Sequence, residues 1–375
     1  MLNLKSLCLV IALLSLLGYI MAALDTAETP LRAFFQHIAH AELIQAEPSV
    51  PPISQAIPPA ATINAKVSGK DSLLTALWSA EELKGRPEDK RIVSERPSRP
   101  DPSPGLPDTR KLPPLKSQML NSIRRVPLDN FHKMVALTFD LCEQADEKTG
   151  YDRDIVNLLR EKNVKASFFA GGKWMQSHEE KSMQLMADPN FELGNHGWTH
   201  GNLRVLSGER MRQQIVRTQA EYERIREKLR QKAKAAGRET DMQRVPPQLK
   251  TLRFPYGTCS AESLQAVNDW GLGAVQWDVV SGDAARGTNP VVMAASVIRE
   301  TRPGSIIIFH ANGRGHGTAA ALPTVIGELR AKGFQFVTVS ELLAVGKPET
   351  VTECYENKPG DNKRYDALFG EGTGE

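Results

Sequence analysis

Two histidines four residues apart, His196 and His200, stand in the stretch Glu192-Leu-Gly-Asn-His-Gly-Trp-Thr-His-Gly201. If the backbone turns between them, both imidazoles face one point, which is the start of a divalent metal site. Gly194, Gly197 and Gly201 leave room for close approach. A pair at this spacing also arises by chance in loops, so its meaning depends on the groups around it. Asp140, closing Thr138-Phe-Asp140, offers a carboxylate that could take a proton from a metal-held water; its plain reading is a capping carboxylate. Arg253 can hold a carboxylate in a two-pronged pair and so fix Asp140. In Arg253-Phe-Pro-Tyr-Gly257, Pro255 and Gly257 set a turn that could aim the Tyr256 amide at a developing oxyanion. Trp277 offers a flat wall for a sugar ring, and Asp278 could orient and charge a histidine; their plain readings are a core indole and a helix cap. His310 follows the apolar run Ile306–Phe309 and sits where an acid is wanted. His316 and Arg314, on the glycine-rich loop Asn312–Gly317, could touch a substrate, although a solvated loop explains them as well.

Alternating strand and helix patterns place these groups. Apolar strand runs are read at Met134–Phe139, Ala166–Ala170, Phe191–Leu193, Leu252–Phe254, Gly273–Trp277, Ser305–Phe309 and Phe334–Thr338, with helical spacing between them. About seven strands in β/α alternation predict a parallel barrel or wound sheet, with chemistry at the C-terminal strand ends. The interval from Ser207 to Ala236 reads as one long charged helix, capped by Ser207. Its narrow stripe of Met211, Ile215, Tyr222, Ile225 and Leu229 would pack on the barrel.

The 375-residue chain is 41% hydrophobic and 24% charged, with a formal net charge of +3. That composition suits a globular core and gives no argument for a nucleic-acid partner. Residues 1–24 read as a signal peptide or signal anchor, with Lys5 before an apolar run. Residues 25–121 are rich in Pro and read as a largely disordered linker with a helix at Asp71–Leu83. The catalytic domain is expected over 122–346, followed by a polar tail over 347–375. These features predict an exported protein, periplasmic, extracellular or held to a membrane by its N-terminus.

From Met134 to Ala344 these residues resemble the polysaccharide deacetylases, the NodB-homology domains of carbohydrate esterase family 4. Thr138–Asp140, His196–His200, Arg253–Gly257, Trp277-Asp278 and Phe309-His310 resemble five family motifs in their order. The resemblance implies a distorted (β/α)7 barrel that removes acetyl groups from N-acetylated sugars in a carbohydrate polymer. It implies Asp140 as base, His310 as acid, His196 and His200 as ligands of a divalent metal such as zinc, Arg253 as tether of Asp140 and Asp278 as the group that tunes His310. It also implies that the Tyr256 amide stabilises the oxyanion.

One position departs from the pattern. The family has Thr-Phe-Asp-Asp, with its second Asp as third metal ligand, and this chain has Leu141 there. Glu143 is the first candidate replacement; Asp140 itself, Cys142 if reduced, Asp146 and Asp152 are others, and Asp152 also reads as a helix N-cap. Cys142 and Cys259 each lie two residues past a motif whose loop should reach the barrel mouth. In an exported protein that predicts a Cys142–Cys259 disulfide, with Cys354 left unpaired. Leu141 leaves open a second reading, a non-catalytic carbohydrate-binding or envelope-assembly module on the same fold; a third is a hydrolase of a different amide, because such a site recognises the acetamide more surely than the sugar.

Overall fold

The sheet is built around one strand, Met134–Leu141, whose last seven residues are buried. The computed structural model describes residues 72–95 and 111–372; the segment read as a signal lies outside the described residues. The strands, in chain order, are β1 (Val93–Ser94), β2 (Ser122–Arg125), β3 (Met134–Leu141), β4 (Glu147–Lys148), β5 (Ala166–Ala170), β6 (Phe191–Asn195), β7 (Thr251–Leu252), β8 (Gly273–Val275), β9 (Val279–Val280), β10 (Ile306–His310), β11 (Gln335–Phe336) and β12 (Glu349–Val351). The helices are α1 (Leu73–Leu77), α2 (Ala80–Lys84), α3 (Arg153–Glu161), α4 (Gly172–Ser177), α5 (Glu179–Ala187), α6 (Gly208–Ala235), α7 (Ala261–Asp269), α8 (Pro290–Glu300), α9 (Thr318–Ala331), α10 (Val339–Val345) and α11 (Arg364–Phe369).

The main sheet runs β12-β2-β8-β7-β6-β5-β3-β10-β9, with β11 also on β3. All its pairings are parallel except β12 on β2. β8 and β9 are separated only by residues 276–278, which bend at Asp278, and they pair toward opposite ends of the sheet, β8 with β7 and β9 with β10. The sheet therefore curls back toward itself, as expected for a distorted barrel. Side chains of β3 alternate between two cores, as a strand's period of two requires. Ala136 joins the cluster inside the curl with Phe169, Val275, Trp277 and Ile308. Leu137, Phe139 and Leu141 face the helix layer with Ile155, Leu159 and Leu322.

α6 buries Met211, Ile215, Tyr222, Ile225 and Leu229, the stripe predicted for it. Ser207 is its N-cap residue but makes no side-chain capping bond. Among the described residues no helix is long and apolar enough to cross a membrane.

The packed body is wider than the 122–346 window. Leu73, Leu74 and Trp78 join the main core, and β1 pairs antiparallel with β4. This upstream segment runs so close that a Cβ on Gly150 or Gly313 would strike the Lys90 backbone, at 2.3 and 2.4 Å. At the other end, residues 352–372 are packed rather than free: Cys354 and Asn362 are buried.

Candidate active site

Strand register gathers the site at one rim. His310 lies opposite Asp140 across β10 and β3. Asp140 lies opposite Phe169, and Asn195, at the end of β6, lies opposite both Ala170 and Leu252. His196 and Arg253 are the next residues after those strand ends, so four predicted groups arrive together.

The turn carrying the histidine pair is held by α6. Gln214 Oε1 accepts from the amides of Trp198 (2.9 Å), Thr199 (3.0 Å) and Gly201 (3.2 Å). Asn195 Oδ1 accepts from the Gly197 amide, and Asn195 Nδ2 donates to the Ile215 carbonyl. The turn needs Gly197 at φ +74° and puts His200 itself at φ +59°. His196 Nδ1 lies 2.9 Å from the Arg253 carbonyl. Nδ1 must donate there, which leaves the Nε2 lone pair directed inward, as in a metal-binding imidazole. The rings of His196 and His200 stand 5.1 Å apart. Burial pushes the pKa of His196 below the ordinary imidazole value, and that of His200 well below it, with the neighbouring histidines adding to the effect. Both are therefore neutral and able to donate a lone pair.

Asp140 Oδ1 accepts from the Arg253 guanidinium at 2.9 Å, and its Oδ2 lies 3.6 Å from His196 Nε2. Burial alone would raise the Asp140 pKa; Arg253, His196 and His310 outweigh it and hold the carboxyl below the usual range. Arg253 is fully buried and is fixed further by the Val275 and Gln276 carbonyls and by the Phe169 ring, 4.1 Å away. Asp140 is therefore an oriented, ionised base.

His310 is oriented by Asp283, not by Asp278. Asp283 Oδ1 lies 2.8 Å from His310 Nδ1, and its Oδ2 accepts from the His310 amide (2.7 Å) and from the Thr318 hydroxyl (2.6 Å). Burial would lower the His310 pKa, but the Asp283 carboxylate and its hydrogen bond raise it overall. Asp278 instead accepts from Ser305 Oγ (3.0 Å) and the Ile306 amide (2.8 Å) and pairs with Arg302. Strand pairing resumes past Trp277, with Val279 and Val280 beside Ile307 and Ile308, so Asp278 sits at the foot of β10. Four residues of strand, about 13 Å, separate Ile306 from His310.

Other expectations are corrected by the same geometry. Glu143 is no ligand candidate: it points into the helix layer, where Lys173 (2.8 Å), Ser177 (2.5 Å) and the Thr149 amide (2.9 Å) surround it. Asp152 caps α3 through the amides of Asp154 and Ile155. Trp277 shows no open face for a sugar; it is 4% exposed, donates to the Glu356 carbonyl and lies over Arg253. The disulfide is Cys259–Cys354 rather than Cys142–Cys259. Cys259 faces an apolar cluster with Leu203, Leu206 and Cys354. Cys142 is free, buried and turned toward the histidines. Donor atoms of Cys142, His196 and His200 all lie within 4.8 Å of one another. Burial pushes the metal-free Cys142 thiol up to about 12.

Tyr256 sits at φ +58°, ψ 8°, and no acceptor for its amide N–H is found among the described residues. Its ring is held between His200 (4.3 Å) and Phe369 (4.6 Å, nearly parallel), and Gln144 Nε2 reaches its hydroxyl at 3.3 Å. Phe369 comes from the segment read as a polar C-terminal tail. Asn202 binds the Gly370 and Glu371 carbonyls through its side chain and amide, and Arg204 binds Asn362 and Asp366. This strap, residues 354–372, walls the rim beside His200. Arg314 is half-buried and paired with Glu147; the His316 amide donates to the Asp283 carbonyl.

An ionised base, an acid of raised proton affinity, the paired imidazoles of His196 and His200 and a free amide at one rim define a hydrolase site suited to a carbonyl substrate and a divalent cation. The family model for polysaccharide deacetylase matches residues 129–275. A chitooligosaccharide deacetylase of Azorhizobium caulinodans is 30% identical over 194 residues, 48% of this chain and 82% of that protein. Two peptidoglycan-N-acetylglucosamine deacetylases are also similar. One, of Bacillus cereus, is 28% identical over 215 residues, 57% of this chain and 69% of its own length. The other, of Listeria monocytogenes, is 27% identical over 260 residues, 65% of this chain. The chain spans about half of the Listeria protein, 49%. This chain belongs to the polysaccharide deacetylase family.

Proposed function

We propose that the protein hydrolyses the acetamide of an N-acetylated sugar within a carbohydrate polymer, peptidoglycan being the leading candidate, in an oxidising compartment outside the cytoplasm. The observation that carries this reading is the opposed pair at one rim, Asp140 on Arg253 and His310 on Asp283, beside the His196–His200 pair, in which the His196 lone pair is directed inward. The targeting pattern of residues 1–24 supports export, as does a disulfide, which persists where thiols are not kept reduced. The names of the relatives support the substrate class.

The donor set fits a divalent cation. His196 and His200 would hold it, and zinc suits neutral imidazoles at such a site. Such an ion would polarise the acetamide carbonyl and lower the pKa of the attacking water. Asp140 takes the proton of that water, with Arg253 keeping its carboxylate ionised and aimed. The Tyr256 N–H donates to the oxygen as negative charge develops on it. His310, protonated through its Asp283 partner, gives its proton to the leaving amine, and acetate departs.

The test is acetate release by the full chain from N-acetylglucosamine oligomers and from peptidoglycan, with and without chelator, beside His196→Ala. Chelator-sensitive release that His196→Ala abolishes supports the reading. A folded, metal-loaded protein that binds these polymers and releases no acetate would replace it with the carbohydrate-binding module.

A further inference from the structure

We propose that the Cys142 thiolate is the third protein ligand of the metal, completing a His2Cys site with His196 and His200. This rests on the reading of the two histidines as metal-facing. The reason begins with strand parity. On β3 the even positions Ala136 and Asp140 face the inside of the curl, and the odd positions Leu137, Phe139 and Leu141 face the helix layer. Leu141 is fully buried in that outer core. The next position on the inner face is therefore 142, not 141, and the sulfur there lies within 4.8 Å of both histidine donors.

The surroundings of the sulfur fit a ligand. Cys142 takes no part in the disulfide. Asn312, fully buried, donates from Nδ2 to Cys142 Sγ at 3.1 Å and to the Cys142 carbonyl at 2.7 Å. Thr149 Oγ1 donates to the same carbonyl at 2.8 Å. These bonds fix the residue that follows the strand. The bond to sulfur favours its anionic form, as outer hydrogen bonds do at metal sites. The sulfur–metal bond forms as the S–H proton leaves to solvent. A thiolate brings the same single negative charge as the carboxylate it would replace, so the charge of the loaded site is unchanged. It is softer, and selects zinc, cadmium or cobalt over magnesium and manganese.

The experiment is anaerobic loading of the full chain with cobalt(II), followed by metal analysis and absorption spectroscopy, for the parent, Cys142→Ser and Cys142→Asp. The parent should bind one ion per chain and show a thiolate-to-cobalt charge-transfer band in the near ultraviolet. Cys142→Ser should lose the band and bind cobalt at least about tenfold more weakly, a loss seen even for outer-shell partners. Cys142→Asp should recover binding without the band, which separates ligand loss from misfolding. A parent that binds no cobalt, a loaded parent without the band, or Cys142→Ser binding as tightly as the parent would each overturn the proposal. Acetate release is scored separately: release without the band removes the cysteine ligand and leaves the deacetylase reading, and the band without release does the reverse.

Discussion

Asp283 gives His310 its raised proton affinity, and the pH dependence follows from that sign. Below the ordinary imidazole value His310 is protonated in folded and unfolded chains alike, and the contact contributes its full stability. As pH rises through the raised folded value the proton leaves and the contribution is lost. Asp283→Asn should therefore shift the alkaline limb of the acetate-release profile to lower pH and cut the rate by ~10²-fold. Its destabilisation, measured by denaturant unfolding, should be largest at acid pH and shrink as pH rises. Asp278→Asn should leave the profile in place and lower the melting temperature, because it loosens only the foot of β10. Arg253→Ala leaves the buried Asp140 carboxylate unpaired and should cost about 3–5 kcal/mol by the same unfolding measurement. Asp140, His196, His200, Arg253 and His310 were legible in the sequence because each ends or follows a strand run of plain apolar pattern. Asp283 was not. Strand pairing resumes past Trp277, at Val279–Val280 on β10, so the strand end read at Trp277 falls three residues short and Asp283 lies in the loop beyond.

At the scale of elements, the barrel strands and α6 could be read from periodicity, since burial imposes period two or the helical stripe. The strap could not. It is held by one disulfide, by scattered polar contacts from Arg124, Asn202, Arg204, Trp277 and Asn362, and by the stack of Phe369 on Tyr256, none of which repeats along the chain. The stack matters to the site because Tyr256 occupies a left-handed backbone conformation that costs a non-glycine residue about 1–2 kcal/mol. Phe369→Ala should lower acetate release about tenfold, equivalent to about 1.4 kcal/mol, mainly in kcat, with metal content unchanged. Phe369→Tyr should restore it. Cys354→Ser opens a link between residues 95 apart and should cost about 2–5 kcal/mol in unfolding experiments.

For the whole molecule, the working unit begins upstream of the barrel. Leu73, Leu74 and Trp78 are each at most 5% exposed, and burying such side chains is worth about 1.5–3 kcal/mol apiece. A chain starting at residue 122 should melt well below one starting at residue 66, and thermal unfolding of the two compares them directly. The Pro-rich composition between residues 48 and 114 hid this, because three short elements inside it pack through few residues each. The position of Cys354 also bears on the order in which the protein is made. Cys259 emerges long before its partner, and the wall beside His200 stays open until the final stretch has been synthesised and moved across. A chain broken off before residue 354 would therefore carry an unpaired Cys259 thiol in an apolar cluster left open. Such a product would be open to capture as a mixed disulfide, whereas a finished chain from residue 66 should offer a thiol reagent only Cys142.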